Sequence, residues 1–193
     1  MTTGGYIQRY ATDPDGLVAL DRGDVLNAVT VSAVTWALMT LFAGYISDYI
    51  GRRNTYLIGF ILQGIGAAAL FPLVNTGSLG LLYGALIFLT VGLGLTYGAQ
   101  SAMYAELFPA SIRATGVSIT YALGSVLGGA FAPMIAASLV EATGTTFAVS
   151  GYLVSASIVG FICAFILRER KGIALGAEHE AEQSQGHFIF SPR

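Results

Sequence analysis

The sequence predicts an all-α membrane protein with five transmembrane helices, and three observations carry that expectation. Hydrophobic residues make up 54% of the 193-residue chain, charged residues only 10%, and the mean hydropathy is +0.69. A soluble domain carries roughly 25% charged residues, so this chain cannot cover itself with ions, and its surface must face lipid. The apolar residues also gather into five runs, each near the roughly 20 residues a helix needs to cross the hydrocarbon core. Finally, Lys and Arg alternate from one connection to the next, as they do where successive loops lie on opposite sides of a bilayer.

In chain order, residues 1–24 are too polar to span and show no basic segment leading into an apolar stretch of the kind a cleavable signal has. The spans are 25–46, 55–74, 79–104, 115–140 and 147–167, and none contains Asp, Glu, His, Lys or Arg. Only helices satisfy their own backbone hydrogen bonds in lipid without closing into a barrel, so these stretches are helical. Pairs at small-xxx-small spacing, Gly80/Gly84, Gly94/Gly98 and Gly124/Gly128, point to a bundle of closely packed helices. Arg52 and Arg53, Arg113, and Arg168, Arg170 and Lys171 flank alternate connections, whereas 75–78 and 141–146 carry no Lys or Arg. This alternation puts the N-terminus outside a plasma (inner) membrane and the C-terminus in the cytoplasm. The polar tail, 168–193, reads as a disordered cytoplasmic segment.

Several function classes are disfavoured. A net charge of −2 does not suit nucleic-acid binding. One cysteine, Cys163, and two histidines, His179 and His187, make neither a disulfide framework nor a metal cluster, and Cys163 reads as a small buried apolar residue. No stretch sets a nucleophile beside a base or pairs two carboxylates, so neither an enzyme nor a cofactor is expected.

Two connections hold more information than topology. The first, Gly44-Tyr45-Ile46-Ser47-Asp48-Tyr49-Ile50-Gly51-Arg52-Arg53, reads as a connection of about eight residues with glycines for the reversal and an acid beside two arginines. The second, Ala105-Glu106-Leu107-Phe108-Pro109-Ala110-Ser111-Ile112-Arg113-Ala114-Thr115-Gly116, has a proline to stop one helix and Glu106 placed to pair with Arg113 or to cap. Gly44, Asp48, Gly51, Arg52 and Arg53 resemble the G-x-L-a-D-r-x-G-R-[KR] loop signature of the major facilitator superfamily, with Ile46 and Tyr49 departing from it. Glu106, Pro109, Arg113 and Gly116 resemble the loop after the tenth helix of that family. The run Tyr121-Ala122-Leu123-Gly124 and Gly128-Gly129-Ala130-Phe131-Ala132-Pro133 is most similar to the metabolite:H+ symporter group, and Tyr10-Ala11-Thr12 to the end of its seventh helix. Arg168-Glu169-Arg170-Lys171-Gly172 departs from the corresponding sugar-porter motif.

The resemblance maps the five spans onto helices eight to twelve of a twelve-helix fold, so the chain is expected to be a C-terminal part, inactive without an N-terminal half. It implies secondary transport of a small organic solute such as an organic acid, amino acid or betaine, coupled to protons in the full-length parent. A sugar-porter-type fragment and a non-transporting membrane partner subunit are the alternatives. Polar residues in spans suggest a cavity, because they are costly in lipid. Tyr97, Gln100, Ser101 and Tyr104 share one helical face at i, i+3, i+4 and i+7. With Asn27, Thr30 and Trp36 on the first span, and Tyr121 and Ser125 on the fourth, they either line a substrate cavity or pack between helices. The interiors of the spans offer no proton carrier.

Overall fold

In a computed structural model, which describes residues 5–14, 16 and 18–184, five helices are long and apolar enough to cross a membrane. A short helix α1 (Ile7–Thr12) precedes α2 (Arg22–Ile50), α3 (Arg52–Val74) and α4 (Leu79–Leu107). The fourth crossing is composite, α5 (Arg113–Ser125) and α6 (Ala132–Thr143) joined by a π-helical turn at Val126–Ala130, and α7 (Phe147–Ile166) is the fifth. Among the described residues there is no strand. At about 1.5 Å per residue, the 29-residue helices α2 and α4 reach about 43 Å, longer than the roughly 30 Å hydrocarbon core.

α4 is the centre of the bundle, with α2 and α3 packed on it and α7 on the far side of α3. Glycine makes this possible. A Cβ at Gly98 would strike the Thr40 carbonyl oxygen and sit 2.7 Å from the Ala43 Cβ, while one at Gly94 would sit 2.5 Å from the Met39 Cβ. On the α3 side, a Cβ at Gly92 would lie 2.7 Å from the Gln63 backbone nitrogen. There the Gln63 amide donates to the Gly92 carbonyl (3.2 Å) and the Thr96 hydroxyl (2.8 Å). Of the three spaced pairs read from the sequence, only Gly94/Gly98 is a helix contact; added Cβ atoms at Gly84, Gly124 and Gly128 meet nothing within 4 Å.

The two ends of the bundle are closed differently. At one, Ile7 and Ala11 of α1 are buried, and Tyr6 and Tyr10 meet the Phe71 ring edge-on at 6.0 and 5.7 Å. Tyr10 donates to the Asn75 side chain (2.7 Å), whose amide reaches the Thr146 hydroxyl (3.3 Å), joining α1 to two turns. At the other end, α2 and α3 are separated only by Gly51, which corrects the eight-residue connection expected from the sequence. Gly51 has φ +96°, a conformation that calls for glycine, and an added Cβ would also displace the Glu169 carboxylate. Gly44 lies within α2 and makes no turn.

Three further expectations change. The 115–140 run is not one regular helix: Pro133 has no N–H to give the preceding turn, and Gly128-Gly129 there accommodates the π-helical turn. Cys163 is exposed on α7, not buried. The tail is folded through residue 184, with a 3-10 turn (Ala177–His179) and α8 (Glu180–Ser184), because Gln183 finds hydrogen-bond partners beneath the α4–α5 connection. Asp15, Gln185, His187 and the apolar Phe188-Ile189-Phe190 lie outside the described residues.

The glycine seam has a direct test. Gly98→Ala, although alanine is the better helix former, is expected to cost about 1–3 kcal/mol of stability through overpacking. Gly84→Ala is expected to be neutral within about 0.5 kcal/mol. Chemical unfolding of the two variants in mixed micelles measures the difference, and equal stabilities would refute the seam.

Candidate functional site

The first signature forms a boundary cluster. Arg52, one residue after the turn, donates to Asp48 one helical turn back, to the Ser47 hydroxyl (3.0 Å) and, through Nε, to Glu106 on α4 (3.2 Å). The guanidinium and the Glu106 carboxylate are largely shielded, whereas Asp48 faces outward. Arg53 goes elsewhere: its backbone N–H donates to Glu169 (2.9 Å), its side chain donates to the Phe165 carbonyl (2.6 Å), and its guanidinium lies 4.9 Å from the Phe165 ring centroid. The two adjacent arginines therefore tie α3 to α4 and to the end of α7 respectively. Glu106 pairs with Arg52 and not, as the sequence suggested, with Arg113.

In the second signature, Arg113 closes the α4–α5 connection. Its Nε donates to the carbonyls of Ala105 (2.8 Å) and Phe108 (3.2 Å), so the residue opening α5 binds the end of α4 directly. Pro109 cannot continue α4, and Gly116 leaves room for the Phe108 ring, which would lie 2.6 Å from an added Cβ. Beyond α7, burial together with the neighbouring Arg168 lowers the Arg170 pKa from its ordinary guanidinium value, an effect opposed by Glu106.

Towards the middle of the bundle lies an open groove of about 460 Å³. Thr40, Leu41 and Gly44 of α2 form one wall; Tyr97, Gly98, Gln100, Ser101 and Tyr104 form the floor; Val117 and Tyr121 of α5 form the other wall. The hydroxyls of Tyr97 and Tyr121 are 2.8 Å apart, and the Trp36 ring meets Tyr97 edge-on at 5.1 Å between centroids. Trp36, Tyr97 and Tyr121 keep 38%, 43% and 46% of their surface exposed, so the aromatic group is open on one side. The Gln100 amide has no hydrogen-bond partner among the described residues. Tyr104 also faces Tyr56 of α3.

The groove thus brings together five of the six residues singled out from the sequence, Trp36 through its contact with Tyr97. Asn27 is the exception: it lies nine residues, about 13 Å, from Trp36 along α2, exposed and away from the groove. Thr30 is exposed and turns its hydroxyl to the Leu26 carbonyl, and Ser125 does not line the groove. Sequence reasoning missed Thr40 and Val117, which carry no unusual chemistry, and the structural roles of Glu169 and Gln183. Glu169 was hidden in a basic flank, and Gln183 in a polar tail.

Comparison with known proteins addresses the chain as a whole. The Major Facilitator Superfamily model matches residues 16–191. The chain is 36% identical over 130 residues to the inner membrane metabolite transport protein YhjE of Escherichia coli, covering 67% of this chain and 29% of that protein. It is 29% identical over 161 residues to the citrate-proton symporter of Klebsiella pneumoniae, covering 82% and 36%. With the proline/betaine transporter of Escherichia coli it shares 30% identity over 126 residues, covering 65% and 25%. The chain spans about a third of the length of the curated relatives it matches. No solved structure matches significantly. With signatures, helices and family match in agreement, this five-span chain belongs to the Major Facilitator Superfamily.

Proposed function

We propose that the chain forms part of a secondary transporter of a small organic solute, an organic acid, amino acid or betaine, and that the α2/α4/α5 groove is one face of its solute site. The observation that carries this is the open aromatic group Trp36, Tyr97 and Tyr121 beside the unpartnered Gln100. The relatives named for citrate and for proline/betaine set the range of solutes. The groove's own chemistry orders that range. None of its described lining residues is charged, and three electron-rich rings suit a quaternary or secondary ammonium through cation–π attraction. A betaine-like zwitterion is therefore the solute this face would hold, its carboxylate meeting donors such as the Gln100 amide.

The groove is open on one side, so in the family's general scheme a second helical half completes the site between two repeats. Proton coupling belongs to the same proposal, with its titratable group outside the five spans, whose interiors hold no acid, base or histidine. The chain sits in the inner membrane with the Arg52 end in the cytoplasm, as the alternation of basic residues supports.

Trp36 is the single tryptophan, which makes its fluorescence a reporter for the groove. With the chain in nanodiscs, glycine betaine is expected to change Trp36 emission at lower concentration than citrate. Tyr121→Phe, which removes the hydroxyl pair, is expected to weaken binding about fivefold, equivalent to about 1 kcal/mol. Asn27→Ala should leave it unchanged. No response to any solute of the range, or an Asn27→Ala effect as large as that of Tyr121→Phe, would reject the groove as the site.

Orientation is checked separately. In a Cys163→Ser background, a membrane-impermeant maleimide added to intact cells is expected to label Thr76→Cys but not Asn54→Cys. The reverse pattern would invert the proposed topology.

A further inference from the structure

The wall that carries Tyr121 is held more by its first residue than by packing. No residue of α5 is buried, in contrast to the many buried positions of α3 and α4. Arg113, at its start, grips the end of α4 with Nε and reaches the tail with both terminal nitrogens: Nη1 donates to the Leu175 carbonyl (2.9 Å) and Nη2 to the Gln183 side-chain oxygen (3.0 Å).

Gln183 is only 2% exposed, although it lies in a short helix within a polar tail. Its side-chain oxygen also accepts from the Ala110 backbone N–H (2.8 Å), and its nitrogen donates to the Ala174 (2.6 Å) and Gly176 (2.9 Å) carbonyls. Its own carbonyl accepts from Arg170 (2.8 Å), whose other terminal nitrogen points at the Leu107 carbonyl at the end of α4 (3.4 Å). The amide is therefore fully used, and its oxygen meets both the α4–α5 connection and the first side chain of α5. A helix transmits such a fixed start along its length: Val117 and Tyr121 follow Arg113 at i+4 and i+8, on the side that faces the groove.

We propose that Gln183 is a positioning residue for the groove: by fixing Arg113 it sets where α5 presents Tyr121 to Tyr97. The inference deepens the proposed function and rests on the reading that this groove takes a solute. Its physical basis is the asymmetry of buried hydrogen bonds, in which removing one partner leaves the others desolvated and unmatched. Gln183→Glu is the informative conservative change. It keeps the acceptor for Ala110 and Arg113, now charge-assisted, while its second oxygen repels the Ala174 and Gly176 carbonyls, so it loosens the tail segment but leaves the hold on Arg113 in place.

The test uses pairs of spin labels on the 193-residue chain in nanodiscs, in a Cys163→Ser background. One pair, Leu38→Cys on α2 with Leu123→Cys on α5, reports the width of the groove; a second, Leu38→Cys with Ile61→Cys on α3, reports the rest of the bundle. Gln183→Ala is expected to broaden the first distance distribution about twofold while leaving the second unchanged, and Gln183→Glu to restore the first. An unchanged first distribution, broadening of both pairs together, or failure of Gln183→Glu to restore would each overturn the positioning role. The measurement needs no solute. If the widths change as expected while Trp36 responds to no solute, Gln183's hold on α5 stands and the solute reading of the groove falls.

Discussion

Everything else in this bundle depends on how closely α4 approaches its two neighbours. In lipid there is no gain from hiding apolar side chains from water, so helices associate through packing and buried polar contacts. Gly92, Gly94 and Gly98 make α4 narrow on two sides at once, one side meeting α3 at Gln63 and the other meeting α2 between Met39 and Gly44. The consequence for chemistry is positional. Tyr97 lies between the two glycines that face α2, so the backbone approach that removes their Cβ atoms also brings Tyr97 to the Trp36 ring. The groove floor is thus set by backbone contacts that no rotamer change can relax.

At the boundary, ions do the work that glycine does inside. Arg52 and Glu106 are mostly shielded from solvent, and burying either alone would carry a large desolvation cost. Together, with Ser47 and the outward-facing Asp48 accepting from the guanidinium's Nη1, they join three helices within one residue of a turn. Arg53 and Glu169 repeat the logic between α3 and the segment after α7. Lys171 adds a third tie, from that segment to the Tyr49 carbonyl at the end of α2 (2.8 Å). The charged residues therefore tie helix ends together, a structural role that their alternation along the chain does not reveal.

What the sequence revealed and what it hid follow from the range of the interactions involved. Span number, the alternation of ends and the Tyr97/Gln100/Tyr104 face are consequences of local composition and helical periodicity, which one sequence contains in full. The turn at Gly51 was misjudged because the amphipathic stretch Tyr45–Ile50 looks loop-like by composition, yet continues as helix once Arg52 returns a bond to Asp48 and Ser47. Glu106 read as a partner for Arg113 or as a cap, and only the three-dimensional path of α4 brings it to Arg52, 54 residues away in sequence. The order of the tail was invisible for the same reason: Gln183 has unremarkable neighbours in the chain, and its partners at Ala110 and Arg113 lie some 70 residues earlier. Asn27 shows the converse error, since a polar residue in a span need not face the cavity when it lies near an end where water is within reach.

The groove therefore has two unlike walls. Its floor and one side come from α4 and α2, locked by backbone contact, whereas the opposite side is α5, which buries no residue and continues into a π-helical turn before Pro133. Elements with few buried contacts occupy the low end of a protein's local stability range and are the ones that move first. In the proposed site, a solute held between such walls would act most strongly on the weaker one, because a contact there changes a small stabilisation by a large fraction. Tyr121 joins the two walls, bonded to the closely packed one through Tyr97 and carried by the one that buries no residue. On the positioning role proposed for Gln183, the restraint at the start of α5 sets how freely that wall can shift, and a glutamine in the tail then bears on a tyrosine in the membrane.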